Sequence, residues 1–569
     1  MPVSSRSSRF QFSTRNREAV WQHLGAFGLT GLLLMLAFPR PGWGLWAYVA
    51  LVPAAVAAGR TRNWRRLWWA GWLVWGLWWA WMLRWLTGVS PAAPAVLGLW
   101  LGLNTALGLV AAGVLNQKLR WPMAVALPLG WISVEALRSV WPVGGLSWFT
   151  LAHSQAMWDA GDVGRVVQTA DLLGPHTAGL VVAVVNGALA DVLLRRKPPR
   201  ASVGLAVLFF VGALGYGQWR ISGWQGATQD GPRVAVVQTA RRLDNQSPPT
   251  PQENAEHWKA LVKLHGRAAE PENDAAPALV VWPETIVPAP LNPAGVQRMR
   301  QIASVARYEG ESEAEAAERL AYYGLKAQFG DVVPAVVGAG RAATIVGANG
   351  LEFDGDEIRE TNAAFLVSPD GTVQSPHYAK QHRVPMGEYL PGPGFLKSLI
   401  VRFTPWPGVY ELTPGDGPVV MTAPGGWQVA TPICYEDAVA GICRDMVYGP
   451  EGKRLDLLVN LTNDGWYSGK GMRRQHAQLA SLRCIENRVP MARSVNTGIS
   501  GFIDSLGRTS ARLDEYEPGV LTHRLRVDGR ATLYGAIGGW PWVLFVLFTA
   551  GATGFGALFG RPLAKHRIA

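Results

Sequence analysis

The sequence Val-Ala-Thr-Pro-Ile-Cys-Tyr-Glu-Asp runs from Val429 to Asp437. An apolar run leads into Cys434 and two acidic residues follow it, a pattern that predicts a buried strand ending at a thiol. The chain has three cysteines, Cys434, Cys443 and Cys484, and only Cys434 stands at such a strand-to-turn junction. A thiol there can act as a nucleophile if one neighbour takes its proton and another stabilises the charge that forms.

Acidic residues divide the 569-residue chain into three parts. Of its 41 aspartates and glutamates, six lie before residue 221 and none lies after residue 528. A polar segment is therefore flanked by two segments that are almost free of acidic residues. We expect a membrane bundle in residues 1–218, a separate polar domain in 219–535, and a last span with a tail in 536–569.

The flanking segments carry long apolar runs. They lie at about 22–38, 43–59, 67–87, 92–115, 121–138, 166–194, 201–218 and 536–560. Most are near the length needed to cross roughly 30 Å of hydrocarbon. Further runs follow the first one, and no small-residue cleavage site separates them, so the first run is not predicted to be a removable signal peptide. The sequence predicts a polytopic bundle of about eight spans.

Basic residues predict the orientation of this bundle. Clusters precede the first run and recur at Arg60, Arg62, Arg65 and Arg66, at Lys118 and Arg120, at Arg195, Arg196, Lys197 and Arg200, and at Arg561, Lys565 and Arg567. With eight spans, all of these clusters fall on one side. By the positive-inside rule both termini are then cytoplasmic and the 219–535 domain is exported. The same bias accounts for much of the net charge of +12, so no nucleic-acid partner is predicted.

Three cysteines in an exported domain allow at most one disulfide. Cys443 and Cys484 could pair, or both could be buried free thiols. The sequence has no Cys-x-x-Cys or His-Glu-x-x-His spacing, so no metal site is predicted.

The polar domain alternates β-rich runs with helical stretches. Candidate strands are 233–237, 278–282, 344–348, 363–367, 427–433 and 455–461, and residues 472–487 are predicted to form a helix. Because the central strands are apolar throughout, we expect an α/β domain whose sheets are covered on both faces. The acidic stretch 309–327 is helix-prone and is predicted to be a solvated surface insertion.

Three polar residues follow predicted strands or lie in turn-rich loops, where α/β enzymes place their chemistry. Glu284 follows Val-Val-Trp-Pro, Lys380 lies in a polar loop with Glu388 eight residues later, and Cys434 is the third. Taken singly, each has an ordinary structural interpretation: a turn residue, a solvated lysine and a small core residue.

Taken together, the order Trp-Pro-Glu, then Lys, then Cys-Tyr-Glu resembles the Glu-Lys-Cys triad of the nitrilase superfamily, whose fold is an αββα sandwich. With spans on both sides of that domain, the chain is similar to one family in particular, the apolipoprotein N-acyltransferases. Further blocks carry the resemblance: Tyr378 to Pro391, Asn463 to Tyr467, Gln475 with His476, Asn496 to Ser500, Thr532 to Gly535, and an outer loop at Trp141 to Trp148.

The chain departs from the family pattern at a few points. Residues 305–343 form a longer stretch than is usual. Residues 241–258 carry a proline-rich insertion where family members place a tryptophan at the mouth of the site. Trp258 is the candidate for that tryptophan. Gly465 replaces a common alanine.

The resemblance implies a two-step acyl transfer. Glu284 would act as the general base for Cys434, whose thiolate attacks an ester of a membrane phospholipid and forms a thioester. Lys380 and the backbone N–H of Tyr435 would stabilise the oxyanion. The α-amine of a diacylglyceryl-cysteine apolipoprotein would then attack the thioester. This chemistry needs no metal and no organic cofactor.

Further residues are expected to support the triad. Glu388 and Glu436 would orient Lys380 and the substrate amine, or would only hydrogen-bond the loop backbone. Asn463 and Trp466 would contribute to the walls and loops of the substrate site. His476, inside a predicted helix, is interpreted as structural. The resemblance also implies a bacterial inner-membrane location with the catalytic domain on the periplasmic side, and we expect a monomer.

Two other functions remain open at this point. A membrane-tethered amidase with the same triad would hydrolyse small soluble amides without lipid, although one span would suffice to anchor it. A transporter with a ligand-binding outer domain is the second alternative, although the apolar runs contain few ionisable residues of the kind that mark substrate pathways.

Overall fold

The computed structural model describes most of the chain. The described residues are 14–39, 41–61, 63–142, 144–156, 163–195, 199–241, 250–271, 276–354, 357–395, 397–398, 411–467 and 469–560. The basic clusters that fall in the remaining residues, including 561–569, lie outside the described part of the chain.

The flanking segments form apolar helices. The longer ones are Thr14–Ala37, Val52–Arg60, Trp64–Met82, Ala93–Lys118, Met123–Arg138, His176–Leu194, Arg200–Ser222 and Trp540–Phe559. Within the described residues, four are long and apolar enough to cross a membrane: Ala93–Lys118, His176–Leu194, Arg200–Ser222 and Trp540–Phe559. Four of the about eight predicted spans therefore form helices that could cross a membrane, and the count of eight stays a prediction.

Two of the apolar runs are interrupted. The run at 43–59 is divided into Gly44–Trp46, Ala47–Ala50 and Val52–Arg60. The run at 166–194 yields a long helix only from His176, because Gly174 adopts a φ of 88° and Pro175 occupies the helix N-cap. Glycine in this left-handed conformation and a following proline commonly end one helix and begin the next.

The polar domain contains two mixed sheets. In the seven-stranded sheet, Thr228–Gln238 pairs with Gly519–Asp528 on one side and, in parallel, with Leu279–Val281 on the other. The sheet continues through Thr344–Asp354 and Glu357–Val367. Val287–Pro290 and Tyr378–Ala379 complete it.

The six-stranded sheet begins at Thr509–Arg512 and Gly501–Ile503. It continues through Met491–Val495, Leu457–Thr462, Trp427–Ala430 and Met421–Ala423. Every strand predicted from the sequence is present, with shifted ends. The run 427–433 forms regular strand only to Ala430, and Ile433 adds a single bridge to Leu461.

The two sheets pack face to face between helices. Apolar residues of both sheets share one core, and the hydroxyl of Ser494 donates to the carbonyls of Val237 and Val281 across it. Pro251–Ala269 and Glu313–Gly340 cover the first sheet, and Lys470–Asn487 covers the second. The order helix, sheet, sheet, helix agrees with the predicted sandwich. Shorter helices occur at Pro293–Ser304, Ala440–Val447 and Leu533–Ile537.

The two segments that depart from the family pattern, 305–343 and 241–258, differ in where they lie in the fold. The acidic first half of Glu313–Gly340 is mostly exposed, as predicted, but Val333 and Val337 in its second half are fully buried against the first sheet. Trp258 packs against Trp282 and Phe329, so it fills the outer core of that sheet. Residues 242–249 lie outside the described residues.

Buried polar contacts join the bundle to the polar domain. Arg488 donates to the carboxylate of Asp171 through Nε at 2.8 Å and Nη2 at 2.6 Å, and both side chains are buried. In the neighbouring helix Lys470–Asn487, Gln478 donates to the carbonyl of Ala156. The polar domain is thus held directly on the helix bundle.

Cys443 and Cys484 are both buried free thiols, so the second of the two alternatives left by the sequence is the one observed.

Candidate active site

The three side chains predicted as a triad converge in one buried site. Glu284 follows the strand Leu279–Val281, Lys380 follows Tyr378–Ala379, and Cys434 begins a short turn after the second sheet's strand Trp427–Ala430. Glu284 is 6% exposed, Lys380 1% and Cys434 5%. Each strand thus positions the polar residue that follows it in the same buried site.

Lys380 lies between two carboxylates. Its Nζ is 2.8 Å from Oε1 of Glu388 and 3.5 Å from Oε1 of Glu284. The second oxygen of Glu388 accepts the backbone N–H of Val384 at 2.7 Å. Glu388 therefore contacts both the lysine and the backbone of its loop.

Glu284 accepts hydrogen bonds from two donors besides the lysine. Asn362 donates to Oε1 at 2.8 Å, and the backbone N–H of Asn463 donates to Oε2 at 2.9 Å. The thiol of Cys434 lies close enough to this carboxylate that the charge of Glu284 raises its pKa. A carboxylate beside the thiol is in the position required of a general base.

The electrostatics favour a neutral thiol beside a strong base. Burial raises the pKa of Glu284, with the charge of Lys380 opposing the shift. Burial also raises the pKa of Cys434 well above its usual range, and the Glu284 carboxylate adds to this. For Lys380, burial would lower the pKa, but Glu388 and Glu284 outweigh it and raise the pKa well above its usual range. The ammonium is therefore a permanent charge in the site.

Cys434 has an unusual backbone conformation. Its φ is 52°, in the left-handed region that few residues other than glycine adopt. Such strain persists where the surroundings fix it, and it is common at functional sites. Here it marks the abrupt change from extended strand to the turn Cys434–Ala438.

Glu436 joins the cysteine turn to the lysine loop. Its carboxylate accepts the hydroxyl of Tyr378 and the backbone N–H groups of Gln381, His382 and Ile433, at 2.7 to 2.9 Å. It is fully buried. These contacts match the alternative of hydrogen bonding to loop backbone.

Aromatic residues connect the site to the bundle. The ring of Tyr435 stacks between Trp148 and His382, with centroids 5.4 Å from each, and its hydroxyl donates to the carbonyl of Gly145. The outer loop recognised in the sequence therefore reaches the cysteine turn. Trp466 is 48% exposed.

A buried ionic cluster lies beneath the site. His476 is 2.8 Å from the carboxylates of both Asp437 and Asp464, and Arg493 pairs with Asp437 and donates to Asn460. Burial would lower the pKa of His476, but Asp437 and Asp464 raise it to about 9. His476 is therefore a charged structural link, as its helical position suggested.

Sequence reasoning missed Asn362, Asp437, Asp464 and Arg493. Asn362 lies in the strand Glu357–Val367, directly after the polar residues 359–361, and also donates to Glu388 at 3.2 Å. Because its neighbours in the sequence are polar, nothing in the sequence marked it as a site residue. The partners of His476 were not predictable either, because they come from separate elements.

Comparison with known proteins gives two family matches. Residues 30–188 match the family described as "Apolipoprotein N-acyltransferase N-terminal domain", and residues 233–533 match "Carbon-nitrogen hydrolase". A protein named apolipoprotein N-acyltransferase from Geobacter metallireducens is 27% identical over 563 residues, 95% of each chain. One of the same name from Gloeobacter violaceus is 29% identical over 585 residues, 97% of this chain and 96% of that one.

Among solved structures, an amidase from Nesterenkonia sp. AN1 is 18% identical, covers 55% of this chain and 100% of its own, and has a TM-score of 0.33. A score this low adds nothing to the fold assignment. The carbon-nitrogen hydrolase match spans more than half of the sequence. The chain therefore belongs to the carbon-nitrogen hydrolase family and, within it, to the apolipoprotein N-acyltransferases.

Proposed function

We propose that the protein transfers a fatty acyl chain from a membrane phospholipid to the N-terminal α-amine of a diacylglyceryl-cysteine apolipoprotein. The observation that carries this proposal is that Glu284, Lys380 and Cys434 are buried close enough to interact electrostatically, in a domain built directly onto apolar helices. The relatives that match almost the whole chain carry the name of this activity.

The first half-reaction forms an acyl-enzyme. Glu284 takes the proton of Cys434 as the sulfur attacks the ester carbonyl of the phospholipid. Lys380 and the backbone N–H of Tyr435 stabilise the oxyanion of the tetrahedral intermediate. The C–O bond breaks, Glu284 returns the proton to the leaving alcohol, and a lysophospholipid and a thioester on Cys434 result.

The second half-reaction forms an amide. The neutral α-amine of the acceptor attacks the thioester carbonyl, with the same oxyanion donors. The C–S bond breaks, the proton lost by the nitrogen passes through Glu284 to the sulfur, and the free thiol of Cys434 is restored. No external energy source is required, because a thioester is a more reactive acyl donor than the amide that forms.

The other predicted residues act around this centre. Glu388 orients Lys380, and Glu436 holds the cysteine turn against the lysine loop. Asn463 fixes Glu284 through its backbone N–H, and Trp466 lies at the exposed edge, where it would meet the lipid substrates.

We further propose the arrangement in the membrane. Eight spans, both termini in the cytoplasm and the 219–535 domain outside would place the site in the periplasm of a bacterial inner membrane, in a monomeric enzyme. A reporter fused after residue 569 should then report the cytoplasm. A reporter active outside would exclude this topology.

The decisive experiment traps the acyl-enzyme. Detergent-purified protein is incubated with a phospholipid labelled in its acyl chain, and the digested protein is analysed by mass spectrometry. One acyl group is expected on Cys434, with the buried thiol variant Cys443→Ala as the matched control that still forms it.

Two further outcomes bear on the mechanism. Glu284→Gln should form no thioester, since no base accepts the thiol proton. Addition of a diacylglyceryl-cysteine peptide should discharge the wild-type thioester to an amide. Discharge to water alone would support an amidase, and acyl transfer by Cys434→Ala would exclude the proposed nucleophile.

A further inference from the structure

A cavity of about 440 Å³ lies between the helix bundle and the catalytic domain. Its walls are the end of the helix Met123–Arg138, the first half of Trp540–Phe559 and the helix Lys470–Asn487. Val439 to Gly441, directly after the cysteine turn, also line it. Glu284, Lys380 and Cys434 do not, so the cavity is distinct from the active site.

The walls are largely apolar and open sideways. Leu479 and Leu482 line the side formed by the catalytic domain. On the other side Leu137, Val543 and Leu547 both line the cavity and lie at the molecular surface, where they are 37%, 47% and 62% exposed. The helix that carries Val543 and Leu547 is apolar enough to span a membrane. With this helix spanning the membrane as proposed, the opening would face hydrocarbon.

One end of the cavity carries a buried donor with unused capacity. Arg483 lines the cavity and is 1% exposed. Its Nη1 donates to the carbonyl of Ala438 and its Nη2 to Glu486, but its Nε has no hydrogen-bond partner among the described residues. A buried N–H without an acceptor destabilises the fold, so a ligand whose acceptor hydrogen-bonds to it gains binding free energy.

We propose that this cavity binds one acyl ester of a bilayer glycerophospholipid. The ester carbonyl accepts the free Nε–H of Arg483, and the acyl chain runs between the two helices toward Leu547. The wall from Gly539 to Leu547 is about 12 Å long at about 1.5 Å per helical residue. The volume lies within the range of about 300–1,000 Å³ typical of small-molecule sites.

The position of the site gives the bound lipid a structural effect. Arg483 holds the carbonyl of Ala438, the last residue of the cysteine turn. A lipid that engages Arg483 and packs against Val439 therefore supports the turn at its last residue, whereas Cys434 is its first. This site is a binding site and does not depend on the proposed reaction.

The test is photo-crosslinking in the full-length protein. The Cys434→Ala variant, which has no thiol to accept an acyl group, is placed in nanodiscs that contain a glycerophospholipid with a diazirine on one acyl chain. After irradiation, mass spectrometry should find labelled peptides from the cavity walls, 136–140, 479–483 or 539–547.

Filling the cavity should remove this labelling. A Cβ added at Gly441 meets no atom within 4 Å, so Gly441→Leu puts an apolar side chain at the cavity without a backbone clash. In the Cys434→Ala background it should reduce labelling at least fivefold. Gly266→Leu, equally unobstructed but on the helix Pro251–Ala269, is the matched control and should leave labelling unchanged.

Gly539→Leu repeats the test from the opposite wall, since that position also lines the cavity and is unobstructed. A folding defect in one variant therefore does not decide the result. Absence of label from the cavity walls, or labelling in both filled variants that equals the labelling of the unfilled Cys434→Ala protein, would overturn the proposal. Displacement of the phospholipid by a diacylglyceryl-cysteine peptide would overturn the phospholipid assignment and give the site to the acceptor.

Discussion

Removal of the charge on His476 should destabilise the catalytic domain in a pH-dependent way. The imidazole is 1% exposed and lies 2.8 Å from both Asp437 and Asp464, which raise its pKa to about 9. Raising the pKa of a histidine from 6.5 to about 9 corresponds to roughly 3 kcal/mol, because each pKa unit is worth about 1.4 kcal/mol. Loss of one partner from a buried ion pair typically costs about 3–5 kcal/mol, which agrees.

The sign of the pH dependence follows from the raised pKa. The protonated imidazole contributes fully below pH 6.5, and its contribution is lost as the pH rises through about 9. His476→Gln is neutral at every pH. The difference in stability between wild type and His476→Gln should therefore be largest near pH 6 and should shrink toward pH 9.

The assay is thermal unfolding of the detergent-purified protein between pH 6 and pH 9.5, followed by tryptophan fluorescence. The matched control is His265→Gln, because burial lowers the pKa of His265 to about 4 and the ring is neutral throughout this range. Its stability difference from wild type should not change with pH. A difference for His476→Gln that stayed constant, or grew with pH, would refute the assignment of a charged imidazole.

Three other variants test the contacts around the site. Asn362→Leu removes the 2.8 Å donor to Glu284 and should slow thioester formation at least tenfold, measured in single-turnover assays, while an unchanged rate would make the contact dispensable. Glu388→Gln frees Lys380 to pair with Glu284 and removes a negative charge that raises the pKa of Glu284. The acid limb of the pH profile for acylation should therefore move to lower pH. Movement to higher pH would contradict this reasoning. Arg488→Met removes one of two arginines that pair with the buried Asp171, since Arg220 remains 2.8 Å from it. The loss of buried hydrogen bonds should cost about 1–3 kcal/mol and lower the melting temperature, whereas the exposed pair variant Arg300→Met should change it little.

The sequence predicted the layered domain well because its signals are local. The strand cores at 233–237, 344–348 and 363–367 all lie within observed strands, since each is a short apolar run with clear ends. Exact ends were less predictable. Hydropathy continues through 166–194, but the backbone conformation of Gly174 separates the long helix from the turns before it.

The triad residues could be found because each lies in a short recognisable motif. The ionic cluster could not, since its contacts join Asp437 with Arg493, 56 residues apart in the chain. Its members are charged, and in a sequence alone charged residues are expected at the surface. Only the folded arrangement shows that these charges are buried together.

The arrangement around Lys380 explains how one site can hold a base and a fixed positive charge. If Lys380 paired mainly with Glu284, it would lower the pKa of that carboxylate and weaken it as a base. Instead Nζ lies closer to Glu388, at 2.8 Å, than to Glu284, at 3.5 Å. Glu388 thus offsets part of the effect of the ammonium charge on Glu284, and burial keeps the pKa of Glu284 raised. Burial also raises the pKa of Cys434, so removal of its proton requires a base whose own pKa is raised, as that of Glu284 is. Glu388 allows this raised pKa to coexist with the permanent positive charge of Lys380 beside the proposed reacting carbonyl.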